Sequence, residues 1–131
     1  ISACASKVAA LPAVRAFLLE MQRRTAREND VVMDGRDIGT VVLPQADVKI
    51  YLTAAAEARA ERRYRELLER GQRADLDQVL REVVERDRRD MEREVSPLRR
   101  ADGAALADTT GLDLEESFQL LLRLVRERLD V

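Results

Sequence analysis

VVMDGRDIGT, residues 31–40, begins as a short apolar run and breaks abruptly into charge and glycine. The run follows the turn-prone pair Asn29-Asp30, and its apolar residues predict a buried strand over 31–34. In open α/β sheets, ligands sit beyond the carboxyl ends of the strands. Asp34, Gly35, Arg36, Asp37 and Gly39 are therefore expected at such an end. Two carboxylates, a guanidinium and two glycines are a costly choice for folding alone. Glycine permits close backbone approach, and arginine can grip a phosphate with two prongs. The alternative for this segment is a polar turn closed by an internal Arg–Asp pair.

Outward from this stretch the chain alternates. Residues 2–10 and 13–27 predict two helices separated by Pro12, with Val14, Phe17, Leu18 and Met21 at helical spacing in the second. Residues 47–52 (DVKIYL) predict a second strand. Residues 55–70 and 76–94 read as long charged helices parted by Gly71, the latter with only a thin apolar stripe of Val79, Leu80, Val83 and Val84. Residues 104–108 (AALAD) predict a third strand, weak because of its alanines. A final helix, capped by Asp113 or Thr110, carries Leu114, Phe118, Leu121, Leu122, Val125 and Leu129 on one face. Short strands alternating with helices predict an α/β fold with a parallel sheet.

The 131 residues suit one domain. Aromatics are 3% of the chain, so the core must come from Leu, Val, Ile and Ala. A formal charge of −2 provides no global field for nucleic acid or an anionic membrane. Cys4 is the lone cysteine and histidine is absent, which excludes an intrachain disulfide, a cysteine metal cluster and a histidine-based triad. With no signal peptide and no apolar run near the length of a membrane span, a cytoplasmic location is expected. The first residue is Ile, which reads as a piece of a longer protein.

Only Lys7 and Lys49 are lysines; the other 21 cations are arginine. Genomic or thermal bias could account for that total, so position must decide which arginines matter. In Arg86-Asp87-Arg88-Arg89-Asp90-Met91-Glu92-Arg93, Arg86, Asp90 and Arg93 share one helix face, as do Arg89 and Arg93. Alone, this reads best as a solvated helix laced with weak ion pairs, and Arg59, Arg62, Arg63 and Arg65 read the same way. Thirteen arginines fall between residues 59 and 100 on a poorly cored helical pair flanked by strands. A mobile flap bearing arginines above strand ends bearing carboxylates suits phosphoryl transfer, which requires charge neutralised on three equatorial oxygens and water excluded.

ASKVAALPAVR (5–15), VVMDGRDIGTVVLPQADVKIYLTA (31–54), ERRYRELLERG (61–71) and ERDRRDMEREVSPLRRADGAALADTTGLDLEE (85–116) together resemble bacterial cytidylate kinases, in order and over essentially the whole chain. The resemblance implies a nucleoside monophosphate kinase fold: a five-stranded parallel sheet, a P-loop, a monophosphate-binding region and a helical lid. It implies transfer of the γ-phosphoryl of ATP to CMP or dCMP with Mg²⁺, by a monomer when complete. On this pattern residues 1–28 form the monophosphate side, 29–56 and 101–131 the core, and 57–100 the lid. Ser6, Arg15 and Asp37 match positions that recognise cytosine. Arg36 and Arg93 match arginines that hold the CMP phosphate, and Arg86 and Asp90 lie by the ribose. Arg63 and Arg89 match lid arginines closing on the transferring phosphoryl, so Arg63, Arg89 and Arg36 are the catalytic candidates. Asp34 stands toward the metal–phosphate region.

No G-x-x-x-x-G-K-[ST] occurs; the glycines are 35, 39, 71, 103 and 111, and none precedes a lysine. No nest or lysine for the β- and γ-phosphates is therefore expected in this chain. By the resemblance, an N-terminal portion would carry that loop on a strand between those matching 31–34 and 47–52. The 131 residues alone are expected to fold marginally and not to turn over. Three rivals stand beside this reading: a kinase for UMP or AMP, a non-catalytic helical interaction module, and a nucleic-acid binder. The last is opposed by 11 acidic residues between 59 and 100 and by the scarcity of stacking aromatics.

Overall fold

A computed structural model describes residues 11–131; the predicted helix over 2–10 and candidate Ser6 lie outside the described residues. Helix α1 spans Pro12–Glu28, with proline at its first turn where its missing N–H costs nothing. A single π-helical turn, Ile38–Val42, follows. Strand β1 (Ile50–Thr53), helices α2 (Ala56–Glu69) and α3 (Leu76–Glu92), strand β2 (Ala105–Asp108) and helix α4 (Leu114–Leu129) complete the order.

The α/β class is as expected, and β1 and β2 pair in parallel with Ile50 opposite Ala105 and Thr53 opposite Asp108. Strand β1 begins later than the predicted residue 47, because only from Lys49, whose carbonyl accepts from the Ala105 amide at 2.9 Å, does the chain meet a partner. The predicted strand at 31–34 is not one. The segment is extended coil, and the Val32 side chain is fully exposed. Among the described residues the sheet has two strands, and nothing lies beside 31–34 to complete a ladder. Apolar, β-branched sequence becomes strand only where its backbone groups find partners.

The excursion between β1 and β2 is a helical hairpin. Gly71 makes its turn at φ +71, a conformation that favours glycine. The two helices pack on each other; Ala60 on α2 and Val79 on α3 are buried, while Val84 at 51% exposed shows how thin the stripe is. Asp75 caps α3 by accepting from the Gln78 amide. Of the two cap candidates for α4, Asp113 is the cap, forming a reciprocal capping box with Glu116. Thr110 instead donates to Asp108 and accepts from the Ala55 amide at the start of α2.

Apolar burial is thin. The predicted α4 face leaves Leu114, Phe118 and Leu129 exposed, and Phe17 and Met21 on α1 are also open. The core is mainly alanine: Ala105 and Ala107 on β2 and Ala104 just before it, with Ala54 and Ala60. The accessible surface is 10122 Å² for 14.9 kDa, against about 7,000 Å² for a compact monomer of that mass. Arginines compensate in part by donating to backbone carbonyls. Arg62 donates to the carbonyls of Thr109 and Leu112, Arg100 to that of Ala104 and Arg128 to that of Gly103. The reading of Arg59 and Arg62 as part of a solvated face is thereby corrected: both turn inward to strand-end carbonyls, a use that helical periodicity does not reveal.

Candidate active site

Residues 34–43 leave the extended segment and fold at once into the π turn. Gly35 is required there because a Cβ would stand 2.9 Å from Ile38 Cγ1. The wide turn closes by bonds from the Val42 amide to the Asp37 carbonyl (3.1 Å) and from the Leu43 amide to the Ile38 carbonyl (2.7 Å). Single π turns of this kind recur at functional sites. Its outgoing carbonyls are taken by Arg23 of α1, which donates from Nη2 to Val41 at 2.7 Å and from Nε to Val42 at 3.0 Å. One end of α1 is thus pinned beneath Arg36 and Asp37.

Opposite this loop stands the end of α3. Arg36 Nε donates to Asp90 Oδ2 at 2.8 Å, and Arg86, one turn earlier on α3, approaches the same oxygen at 4.0 Å. Asp37 Oδ2 lies 3.6 Å from Arg15 Nη2, and the same guanidinium nitrogen donates to Ser96 Oγ at 3.2 Å. Arg93 Nε donates to the Ser96 carbonyl. Ser96 has φ 51, a left-handed conformation unusual for a residue with a side chain. Two arginines hold it from opposite sides, and the Leu98 amide closes the turn onto the Asp90 carbonyl at 2.7 Å.

Six of the predicted residues, Arg15, Arg36, Asp37, Arg86, Asp90 and Arg93, therefore form one linked cluster running from α1 through the DGRD loop to the end of α3. Four guanidiniums share it with two carboxylates, leaving two positive charges in excess. That excess matches a phosphate monoester, which carries roughly −1.5 to −2 near neutrality. The side chains of Arg36 and Asp90 are 39% and 21% exposed, so the pair is reachable by a ligand. Arg63 and Arg89 are not brought in. Arg63 pairs with Glu66 on its own helix, and Arg89 leans on Glu85. Asp34 is exposed. Among the described residues no three acidic, cysteine or histidine groups gather as metal ligands.

Ser96 and Asp87 are not among the residues to which the sequence assigns a role, and Arg59 reads there only as part of a solvated helix face. Ser96 carried a weak signal, a Ser-Pro step just after a helix end. Arg59 and Asp87 carried none, since each resembles its many charged neighbours. Arg59 donates to both oxygens of Asp87 at 2.8 and 2.5 Å and, from Nε, to the Ala54 carbonyl at 3.0 Å. The hydrogen bonds from Arg59 hold the Asp87 carboxyl below the usual aspartate value of 3.8. Burial opposes that shift, and the charges of Arg59, Arg86 and Arg36 add to it. Because the folded-state pKa lies below the unfolded one, the pair's contribution is complete above the unfolded value and is lost as pH falls through the folded one. Asp87→Asn is accordingly predicted to cost about 1–2 kcal/mol near pH 7 for a partly exposed, charge-assisted pair. It is also predicted to flatten the fall of stability below pH 4; urea titrations across that range measure both.

The family profile described as "Cytidylate kinase" matches residues 1–127 of the chain. The chain belongs to the cytidylate kinase family. It is 53% identical over 131 residues to a cytidylate kinase of Carboxydothermus hydrogenoformans, covering all of this chain and 59% of that protein. Against the cytidylate kinase of Thermosipho melanesiensis it is 50% identical over 124 residues, 95% of this chain and 57% of the relative. Against that of Shewanella loihica it is 50% identical over 128 residues, 98% and 56%. The chain thus spans somewhat over half the length of the cytidylate kinases it matches. No helix among the described residues is long and apolar enough to cross a membrane.

Proposed function

We propose that this chain supplies the monophosphate-binding face of a kinase that transfers the γ-phosphoryl of ATP to CMP or dCMP. The observation that carries the reading is the meeting of two bonded groups, Arg36–Asp90–Arg86 and Asp37–Arg15–Ser96–Arg93, at the adjacent residues Arg36 and Asp37, with a combined surplus of two positive charges. Arg36 and Arg93 take the CMP phosphate, and Arg86 and Asp90 the ribose. Asp37 accepts from the cytosine amino group, while Arg15, together with Ser6, donates to the ring acceptors. Arg36 rests on Asp90 and Arg15 lies beside Asp37, so binding exchanges internal partners for ligand groups. Arg63 and Arg89 reach the transferring phosphoryl when the lid, residues 57–100, closes on the core formed by 29–56 and 101–131.

The chain has no Walker-type loop, so the cradle for the β- and γ-phosphates comes from elsewhere in the complete kinase. Mg²⁺, which in such enzymes offsets charge on the ATP phosphates, finds no ligand set among the described residues. Cytosine differs from uracil in an amino donor at C4 and an unprotonated N3, and a site built to pair both groups rejects the wrong base strongly. Calorimetric titration of the complete kinase with CMP and UMP tests the reading: CMP is expected to bind at least ~10-fold tighter. Equal affinities would move the assignment to another monophosphate, and the absence of heat with either nucleotide would favour an interaction module.

A further inference from the structure

The cluster that faces the nucleotide depends on where α3 lies, yet nothing in the cluster itself fixes that helix to the sheet. Arg36 and Asp90 face a position that a ligand must enter, so their pair cannot serve as a permanent tie. The tie lies one turn back along α3. Asp87 is three residues before Asp90 and one after Arg86, and it is gripped by both prongs of Arg59. Arg59 stands in the first turn of α2, and its Nε donates to the Ala54 carbonyl just beyond β1. One guanidinium therefore connects the carboxyl end of β1 to the turn of α3 that bears Arg86 and Asp90. Its neighbour Arg62, one turn further along α2, is bonded to Thr109 and Leu112 just beyond β2. The base of α2 is thus bound to the ends of both strands, whereas α3 reaches the sheet through Arg59.

We infer that the Arg59–Asp87 fork is a positioning strut for the nucleotide site: it sets the height and rotation of α3 over the strand ends, so that Asp90, Arg86 and Arg93 face Arg36 and Asp37. Among the described residues, neither is hydrogen-bonded to the cluster's ligand-facing side chains, although Asp87 feels the charges of Arg86 and Arg36. A planar fork suits the task because two parallel hydrogen bonds fix direction as well as distance, which a lysine ammonium cannot do. The apolar contact of Val79 with α2 lies two turns away, toward the tip of the hairpin, and controls separation more than rotation. This inference rests on the CMP reading for its ligand but not for its geometry.

The test uses the complete kinase carrying this segment, with Asp87→Asn and Arg59→Lys as the variants. Asp113→Ala, which removes the α4 cap, serves as a control that lowers stability while leaving both residues of the fork in place. In a Cys4→Ser background, nitroxide labels at Glu82→Cys on α3 and Asp47→Cys before β1 report the helix position by pulsed spin-echo distances without any ligand. Both strut variants are expected to broaden that distance distribution, and to raise the CMP Kd by about tenfold while the ATP Kd stays within twofold. Asp113→Ala is expected to do neither. The inference is overturned if Asp87→Asn keeps the wild-type distance distribution and CMP affinity, or if Asp113→Ala reproduces its effects. Should the wild-type kinase bind no CMP, the functional assignment fails, and the spin-label distances still decide whether the strut exists.

Discussion

Replacing Asp37 by alanine in the complete kinase is expected to lower kcat/KM for CMP by at least ~100-fold while changing the weak reaction with UMP by much less. The carboxylate stands on the short link between the extended segment and the π turn, and Gly35 and Arg23 leave that link little freedom. Its ion-pair partner among the described residues is Arg15, at 3.6 Å and without a hydrogen bond, so the carboxylate can accept from a base amino group. Removing it leaves the C4 amino group of bound cytosine without its acceptor, a buried donor unpaired at the cost of that hydrogen bond. Asp37→Asn is the sharper variant. An amide can turn its NH₂ toward the C4 carbonyl of uracil, so the CMP-to-UMP ratio should fall further than with alanine. Steady-state kinetics with both nucleotides measure the ratio; an unchanged ratio removes Asp37 from base recognition.

The second large effect is expected at Arg36. Arg36→Ala should cost about 10²–10³ in kcat/KM for CMP, and Arg36→Lys should recover only a minor part, because lysine restores charge without the fork. The substitution acts twice. On the proposed assignment it removes a phosphate ligand, and it leaves Asp90, 21% exposed, with Arg86 at 4.0 Å as its remaining cation among the described residues. A loss of about 1 kcal/mol in stability should therefore accompany the kinetic loss. Combining Arg36→Ala with Asp90→Asn should return most of the stability and none of the activity, a non-additivity that a double-mutant cycle measures. Equal kinetics for the lysine variant and wild type would mean that a point charge suffices there.

Much of this architecture was legible because it is local. Helix α1 follows from Pro12 and the spacing of its apolar residues, α4 from Asp113 and Glu116 at capping-box spacing, and the hairpin turn from Gly71. The cluster was legible in part: DGRD announces itself by chemistry out of place after an apolar run. The partners assigned to it on α3 came from the resemblance, since the i, i+4, i+7 face of Arg86, Asp90 and Arg93 looks like any solvated helix. The strand expected at 31–34 was misread because strand formation is decided by a neighbour, and neighbours are non-local. Arg59 and Arg62 were misread for the same reason. Among the arginines of α2, Arg59 and Arg62 are distinguished from Arg63 and Arg65 only by which carbonyls lie within reach once the chain has folded.

The helical hairpin joins the sheet at its base and is free at Gly71, around which nothing lies within 4 Å of a built Cβ. Fourteen residues of α2 place that tip about 20 Å from its root at 1.5 Å per residue. The pair is therefore a lever arm: a tilt of about 10° at the root sweeps the tip through roughly 3–4 Å over that length. Residues near the pivot, Arg59 and Asp87 among them, move least in such a swing, and those toward the tip move most. A dye attached at Gln72 or Arg73 would magnify sub-ångström rearrangements at the pivot into a readable displacement.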